Sequence, residues 1–574
     1  MKKVFSSMKP FRRESILGPL FKLLEASFEL LIPLVVAAII DRGIDGGDKG
    51  MIVRFCLLMA LLGFVGLAAA VSAQYFAAKA AVGTAKELRR TVLDKIQHLS
   101  YTDLDTLGTA TLMTRMTGDI NQVQTGINLT LRLLLRSPFV VFGAMIMAFT
   151  VDVRAALVFV AIIPLLFAVV MGIMKICTPL FRRSQERLDR VTGLTRENLS
   201  GVRVIRAFGR EEDEVEGFRR ENERLTSLNR FVGRISALTN PMTTFIVNLA
   251  TVLLIYVGAV RVDGGSLSQG QVVALYNYMA QILVELIKMA NLIINVNRSI
   301  ACANRLESIC ELPDEPDGTK EAVFPENTPA VSFSDVSVTY RGAAAPALSH
   351  ITFDAMPGET VGIIGGTGSG KSTLVQLIPG FYEATEGSVS VGGEDVKRLR
   401  KESLRRAVGY VPQKSVLFRG TIRENLQWGN PEADDETLHR ALACAQAENV
   451  IAAKAEGLDA EVEQQGRNFS GGQKQRLCIA RALVRGGEIL IMDDSASALD
   501  YATDAALRAS LAALSPKPTV FVVSQRAASV MHADRIIVLD DGHAVGIGRH
   551  EELLESCPVY REIYDSQFKK EVTA

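Results

Sequence analysis

Residues 55–78 and 235–260 contain no charged side chain, and 155–174 form a third such run. A bilayer's hydrocarbon core, about 30 Å thick, is crossed by about 20 apolar residues of helix. Inside it the backbone must satisfy its own hydrogen bonds, so runs of this length fold as membrane-spanning helices and as little else. Three further apolar stretches, 16–40, 129–150 and 266–295, are shorter or carry some charge. Together they predict six spans.

The apolar residues, 48% of the 574, are unevenly spread. Beyond residue 330, short apolar strands alternate with polar helices, as in an aqueous α/β domain. Two solvents therefore imply two folds. The expected division is an interfacial lead-in (1–15), a six-helix transmembrane domain (16–300), a linker rich in proline and acid (301–329) and an α/β phosphate-binding domain (330–574). Connections 41–54, 151–154 and 261–265 are short, whereas 79–128 and 175–234 are long and include KELRRTVLDKIQH and FRRSQERLDRV. Their excess of Lys and Arg places both long arms, the termini and the α/β domain in the cytosol. The start, MKKVFSSMKPFRRESILGPL, is basic but offers no small-residue cleavage site, so it reads as a lead-in and not as a signal peptide. With 63 basic and 63 acidic residues, no net field favours a nucleic acid partner. The seven scattered cysteines show no metal-ligand spacing and are expected as unpaired thiols.

Some charge enters the spans. Lys22, Glu25 and Glu29 follow one another at helical i, i+3 and i+4 steps. Glu29 falls about 17 Å into a span starting near Gly18, by the helical rise. Two readings stay open: a self-neutralised stripe against neighbouring helices, or an acid in a substrate cavity that meets cationic cargo. Glu285 and Lys288 are expected to pair along one helix.

After the strand 361–364 comes GGTGSGKST. Gly365, Gly366, Thr367, Gly368, Ser369, Gly370, Lys371, Ser372 and Thr373 satisfy G-x-x-x-x-G-K-[ST] between a strand and a helix. Glycines let backbone N–H groups wrap phosphates, Lys371 neutralises the terminal ones, and Ser372 can ligate Mg²⁺. The buried run ILIM (489–492) delivers Asp493 to the same metal. Between them lies NFSGGQKQRLCIARAL, where Ser470, Gly471, Gly472 and Gln473 open a helix and offer free amides to an anion. A second phosphate reader in one domain suggests a nucleotide held by another copy or a partner.

GGTGSGKST, then FSGGQ, then ILIMDD with SALD, after six spans, resembles the ATP-binding cassette (ABC) superfamily, in the form of an exporter-type half-transporter. The resemblance implies a domain-swapped six-span bundle with long cytosolic arms, GVRVIRAFGRE among them, and ATP with Mg²⁺ as cofactors. It implies that Tyr340 stacks on adenine and that Gln413, in YVPQKSVLF, senses Mg²⁺ beside Ser372 and Asp493. Ser470 to Gln473 would read the γ-phosphate on the partner, and Ala498 to Asp500 would form the contact loop between subunits.

Two positions depart from the pattern. The family has Glu after the metal Asp, and this chain has Asp494. The family has His in the switch loop, whereas VVSQRAAS puts Gln525 there and His532 is off register. Asp is one methylene short of the reach a base needs, and Gln cannot become cationic. Both catalytic positions are thus weakened beside an intact phosphate loop. The chain resembles the degenerate-site subunit of bacterial heterodimeric multidrug exporters, in which it would hold ATP and complete a different half-transporter's working site. Cargo is expected to be a drug, a peptide or a lipid. The alternatives are an exporter-shaped importer of metal chelates and an ATP-gated channel or regulatory subunit.

Overall fold

A computed structural model describes residues 2–495 and 499–568, so Ala498 of the expected contact loop lies outside the described residues. The chain divides into two compact units. One comprises residues 1–97 with 110–312, and the other 98–109 with 313–574.

Among the described residues of the first unit, six helical segments are long and apolar enough to cross a membrane. They are Lys3–Ile44, Lys49–Gln97, Thr109–Val151, Val153–Ala207, Glu211–Asp263 and Gln269–Cys310, here the first to sixth spans. The second has 49 residues and the fourth 55, or about 73 and 82 Å at 1.5 Å per residue. Only about 30 Å of each is needed for hydrocarbon, and the surplus makes the arms. Large side chains of the second span, Leu57, Leu61, Phe64 and Leu67, point outward, while Ala69, Ala73, Ala77 and Ala80 are buried. Small residues let helix backbones approach in a solvent as apolar as leucine. Gly18 of the first span follows this logic, since a Cβ there would lie 3.4 Å from the Ala77 backbone. On the arms, Val4 of the lead-in joins Leu88, Val92, Ile120 and Leu306 in a small core. All seven cysteines are unpaired.

The second unit is built on a six-stranded sheet and a four-stranded antiparallel one. The strands are β1 (Val331–Val338), β2 (Leu348–Ala355), β3 (Thr360–Gly365), β4 (Glu386–Val391), β5 (Glu394–Asp395) and β6 (Val408–Val411). A small pair follows, β7 (Gly420–Thr421) and β8 (Glu461–Val462), then β9 (Ile489–Asp493), β10 (Thr519–Val523), β11 (Arg535–Asp540) and β12 (His543–Gly548). The larger sheet has the order β12-β11-β3-β10-β9-β6 and is parallel except at β12; the smaller has the order β2-β1-β4-β5. Alternation explains the continuous apolar strands. Ile489 and Ile491 enter the core facing the small sheet, while Leu490 and Met492 enter the core facing the helix Gly471–Arg485.

The helix Tyr101–Leu107, which lies on the first arm in sequence, belongs to this second unit. Tyr101 stacks on Phe381 at 4.6 Å, Arg341 donates to Asp103 at 2.8 Å, and the Tyr382 hydroxyl donates to Asp105 at 2.5 Å.

Candidate nucleotide site

Strands β3, β10 and β9 lie side by side and parallel, so their carboxyl ends bring three distant segments together, the usual place for a ligand in such a sheet. Backbone bonds stitch these ends. Ser524 donates its N–H to Ile363 at 3.0 Å, and Asp494 to Val523 at 3.1 Å.

At the end of β3 the chain turns through Gly368 and Gly370, both at positive φ (84° and 93°). A Cβ on Gly365 would lie 2.1 Å from the Leu539 carbonyl oxygen, and one on Gly370 2.6 Å from that of Ala347, so both positions exclude a side chain. The loop leads into the helix Lys371–Leu377. Lys371 Nζ donates to the carbonyls of Gly365 and Gly366 at 3.0 and 2.5 Å. Burial pushes its ammonium below the usual lysine range, against the pull of Asp494 and Asp493. Ser369 Oγ is buried without a hydrogen-bond partner.

Asp493 is buried at the end of β9. One carboxylate oxygen accepts from Ser372 Oγ at 2.8 Å, and the other from the Tyr410 hydroxyl at 3.0 Å. Burial pushes its pKa up, Asp494 adds to that, and these two hydrogen bonds oppose it. Ser372 and Asp493 are an all-oxygen pair, suited to a hard divalent cation that takes its remaining oxygens from phosphates and water. Among the described residues no group of three or more His, Cys, Asp or Glu could hold a metal without such help.

A cleft of about 350 Å³ runs along this surface and takes in Tyr340, Gln413, Asp494 and Gln525 as well as Thr367, Gly368 and Gly370 to Thr373. Gly365, Gly366, Ser369 and Asp493 back it without lining it. The Tyr340 hydroxyl lies 3.0 Å from Thr373 Oγ1, and its ring meets Tyr382 edge-on at 5.2 Å. Gln413 Nε2 donates to Asp494 Oδ2 at 3.4 Å. Asp494 has φ +49°, a left-handed conformation that Asp tolerates better than most residues. His532 is exposed and outside this cleft.

Ser470, Gly471, Gly472 and Gln473 do not line the cleft. They begin the helix Gly471–Arg485, where Ser470 and Gln473 form a reciprocal cap. Ser470 Oγ accepts from the Gln473 N–H at 3.3 Å, and Gln473 Oε1 from the Ser470 N–H at 2.9 Å. Gly471 is exposed, with open space where a Cβ would go. Asp500 caps the helix Tyr501–Ala512.

Three contacts at this site escape a motif reading. Tyr410 stands inside the quoted string YVPQ, yet only the sheet order shows that β6 lies beside β9. Gln567, on the helix Pro558–Phe568, donates to the Gln525 carbonyl at 2.9 Å and accepts the Ala527 N–H at 2.9 Å, gripping the switch loop on both sides of Arg526. Arg526 donates to the Leu499 carbonyl at 3.0 Å and lies 5.4 Å over the Tyr501 ring. No local sequence signal marks Gln567.

In the first unit, Lys22 and Glu25 pair at 2.5 Å, whereas Glu29 pairs outside its own helix. Its partner is Arg136 of the third span, at 2.6 Å. Lys288 and Glu285 do pair along the sixth span, at 2.8 Å.

Residues 15–286 match the family model described as ABC transporter transmembrane region, and 348–497 match the one described as ABC transporter. An uncharacterized ABC transporter ATP-binding protein of Mycobacterium tuberculosis, Rv1273c, is 37% identical over 570 residues, covering 98% of this chain and 97% of its own. YfiB of Bacillus subtilis, also an uncharacterized ABC transporter ATP-binding protein, is 35% identical, with 100% and 99% covered. An ATP-dependent lipid A-core flippase of Thiobacillus denitrificans is 30% identical, with 98% and 97% covered. In fold, the chain resembles a bacterial Atm1-family ABC exporter with ATP bound at a TM-score of 0.81, over 98% of this chain and 99% of that one, at 23% identity. With both family models in order and relatives aligned from end to end, the chain belongs to the ABC transporters, as a multi-pass membrane protein whose cytosolic ATPase domain is coupled to transport.

Proposed function

We propose that this chain is one subunit of a heterodimeric ABC exporter, and that it holds ATP with Mg²⁺ in a cleft that hydrolyses it slowly. The observation that carries the reading is the make-up of that cleft. Lys371, Ser372 and Gln413 line it beside Asp494 and Gln525, the two positions where the family's base and switch histidine would stand. A carboxylate one methylene shorter draws back from an attacking water, and losing a general base costs about 10² to 10⁴ in rate. Gln525 still donates a hydrogen bond to a phosphate oxygen but adds no charge. Tyr340 would stack on adenine, and Ser372 with Asp493 would bind Mg²⁺, which when present neutralises phosphate charge. Ser470 to Gln473, outside the cleft, would meet the nucleotide of a different half-transporter and complete that subunit's working site. The cargo in this reading is a drug, a peptide or a lipid, and the relative named as a lipid A-core flippase supports the lipid among them.

The test is to compare ATP binding and hydrolysis by the chain purified alone with those of the chain co-expressed with a half-transporter that has Glu and His at the two positions. Binding without turnover alone, and turnover in the pair, is the expected result. Robust hydrolysis by the verified homodimer overturns the division of labour.

A further inference from the structure

Counted from the span ends at Ile44, Val151 and Gln269, Glu29, Arg136 and Glu285 lie at one level, about 23 Å along their helices at 1.5 Å per residue. There they form a single network. Arg136 donates through Nη2 to Glu29 Oε2 at 2.6 Å and through Nη1 to Glu285 Oε1. Glu285 also accepts from Ser137 Oγ and Lys288 Nζ, each at 2.8 Å. One guanidinium therefore fastens the first span and the sixth to the third. Two acids and two bases balance.

The two acids are held unequally. Glu285 has three donors and a side chain 3% exposed, whereas Glu29 meets Arg136 through one oxygen and is 38% exposed. A bare carboxylate edge in lipid is costly, so that edge belongs to water or to a polar group. Two polar atoms on the residues that touch Glu29 lack partners, one an acceptor and one a donor. Gln281 Nε2 reaches the Glu29 carbonyl at 3.5 Å, leaving its Oε1 buried with nothing to accept, and Arg136, 6% exposed, leaves Nε unpaired. Reversing the Gln281 amide would set two carbonyl oxygens against each other. Gln281 Oε1 and the free edge of Glu29 are thus acceptors short of a donor, whereas Arg136 Nε is a donor short of an acceptor.

We propose that Glu29 and Gln281 form the recognition site for cargo carrying a hydrogen-bonding organic cation, an ammonium or a guanidinium, and that the cation takes Glu29 from Arg136. Arg136 stays charge-paired with Glu285, and Lys288, 42% exposed, keeps its own charge solvated. Cargo binding thereby releases the first span from the third. This names a cargo class for the proposed exporter and does not depend on which ATP site hydrolyses.

The experiment uses the full-length chain in lipid nanodiscs without ATP, and three dansyl probes of one length that end in an ammonium, an acetamide or a carboxylate. A charge-assisted hydrogen bond favours the ammonium by roughly tenfold in Kd over the acetamide. Glu29→Gln, which preserves volume and can still accept from Arg136, should remove that preference. Arg136→Lys cannot fork to two carboxylates, so it should free Glu29 and tighten ammonium binding several-fold. Equal binding of the three probes by the wild type, a preference that survives Glu29→Gln, or weaker ammonium binding in a folded Arg136→Lys overturns the proposal. Because no ATP is present, none of these results touches the reading of the ATP cleft.

Discussion

The side-chain amide of Gln413 donates to the Asp494 carboxylate across 3.4 Å. The contact is long, and it joins the ends of β6 and β9, which are neighbours in the sheet. Asp494 is thereby turned toward the segment that follows β6, while Asp493 beside it is turned toward Ser372 and Tyr410. Two adjacent acids thus turn toward different partners.

If the cleft hydrolyses slowly as proposed, lengthening the second acid and introducing an imidazole should speed it. Asp494→Glu with Gln525→His is expected to raise hydrolysis at this site by about tenfold, well short of the 10² to 10⁴ a general base supplies. Two things limit the gain: Glu fits φ +49° less readily than Asp, and the partner must supply a competent signature. Single-turnover rates in the assembled transporter measure it, and an unchanged rate says that these two positions do not limit the site.

Three substitutions should rank in a definite order. Gly471→Glu meets open space, so it folds, and it sets an acid where the partner's γ-phosphate would sit. Loss of transition-state donors costs about 10² to 10³ in rate. Asp494→Asn should leave most of the transporter's turnover, and Lys371→Ala should fall between, by loosening the held nucleotide. Steady-state ATPase in one membrane preparation gives the order. If Asp494→Asn is as inactive as Gly471→Glu, this cleft is itself catalytic.

Gln567 should matter despite standing outside the cleft. Gln567→Ala removes two neutral hydrogen bonds to the switch loop, each worth about 1 kcal/mol. ATP should bind several-fold more weakly, with no loss of assembled protein. Gln567→Glu keeps the acceptor for Ala527 but sets a carboxylate against the Gln525 carbonyl, and should be at least as weak. Nucleotide photolabelling at graded ATP reads both. Unchanged labelling in the alanine variant means the grip is idle.

Tyr101 anchors the helix Tyr101–Leu107 in the second unit. It stacks on Phe381, with the Arg405 guanidinium 5.9 Å over its ring. Tyr101→Ala removes the stack and should lower transport more than ATP binding. Tyr101→Phe keeps the ring and should behave as wild type. Transport and photolabelling in the same vesicles separate the two effects.

His550 offers a pH dependence. Burial holds its imidazole below the usual histidine range, between Tyr560 and Tyr564. A group whose folded pKa is depressed contributes stability that is present above the unfolded value, about 6.5, and is lost as pH falls through the folded one. The thermal midpoint of the soluble unit should therefore decline modestly below pH 6.5, and His550→Gln should flatten that limb. An identical slope in the variant assigns the decline to other groups.

Six apolar runs, the phosphate loop and the residues Asp494 and Gln525 were legible in the sequence because each is a local pattern. A membrane span is written in about 20 consecutive residues, and a phosphate loop in nine. The structure alone decided what these patterns meet. Sheet order sets β10 between β3 and β9, and so brings Lys371, Asp494 and Gln525 to one cleft. The helix Pro558–Phe568 carries Gln567 back to a loop some forty positions earlier in the chain. Glu29 could be read as a charge in a span, but its pairing with Arg136, more than a hundred residues on, follows from how three helices cross. Hydrophobic periodicity tells each helix and strand which face to bury; it does not say against which neighbour, and that choice is made by packing among segments far apart in the chain.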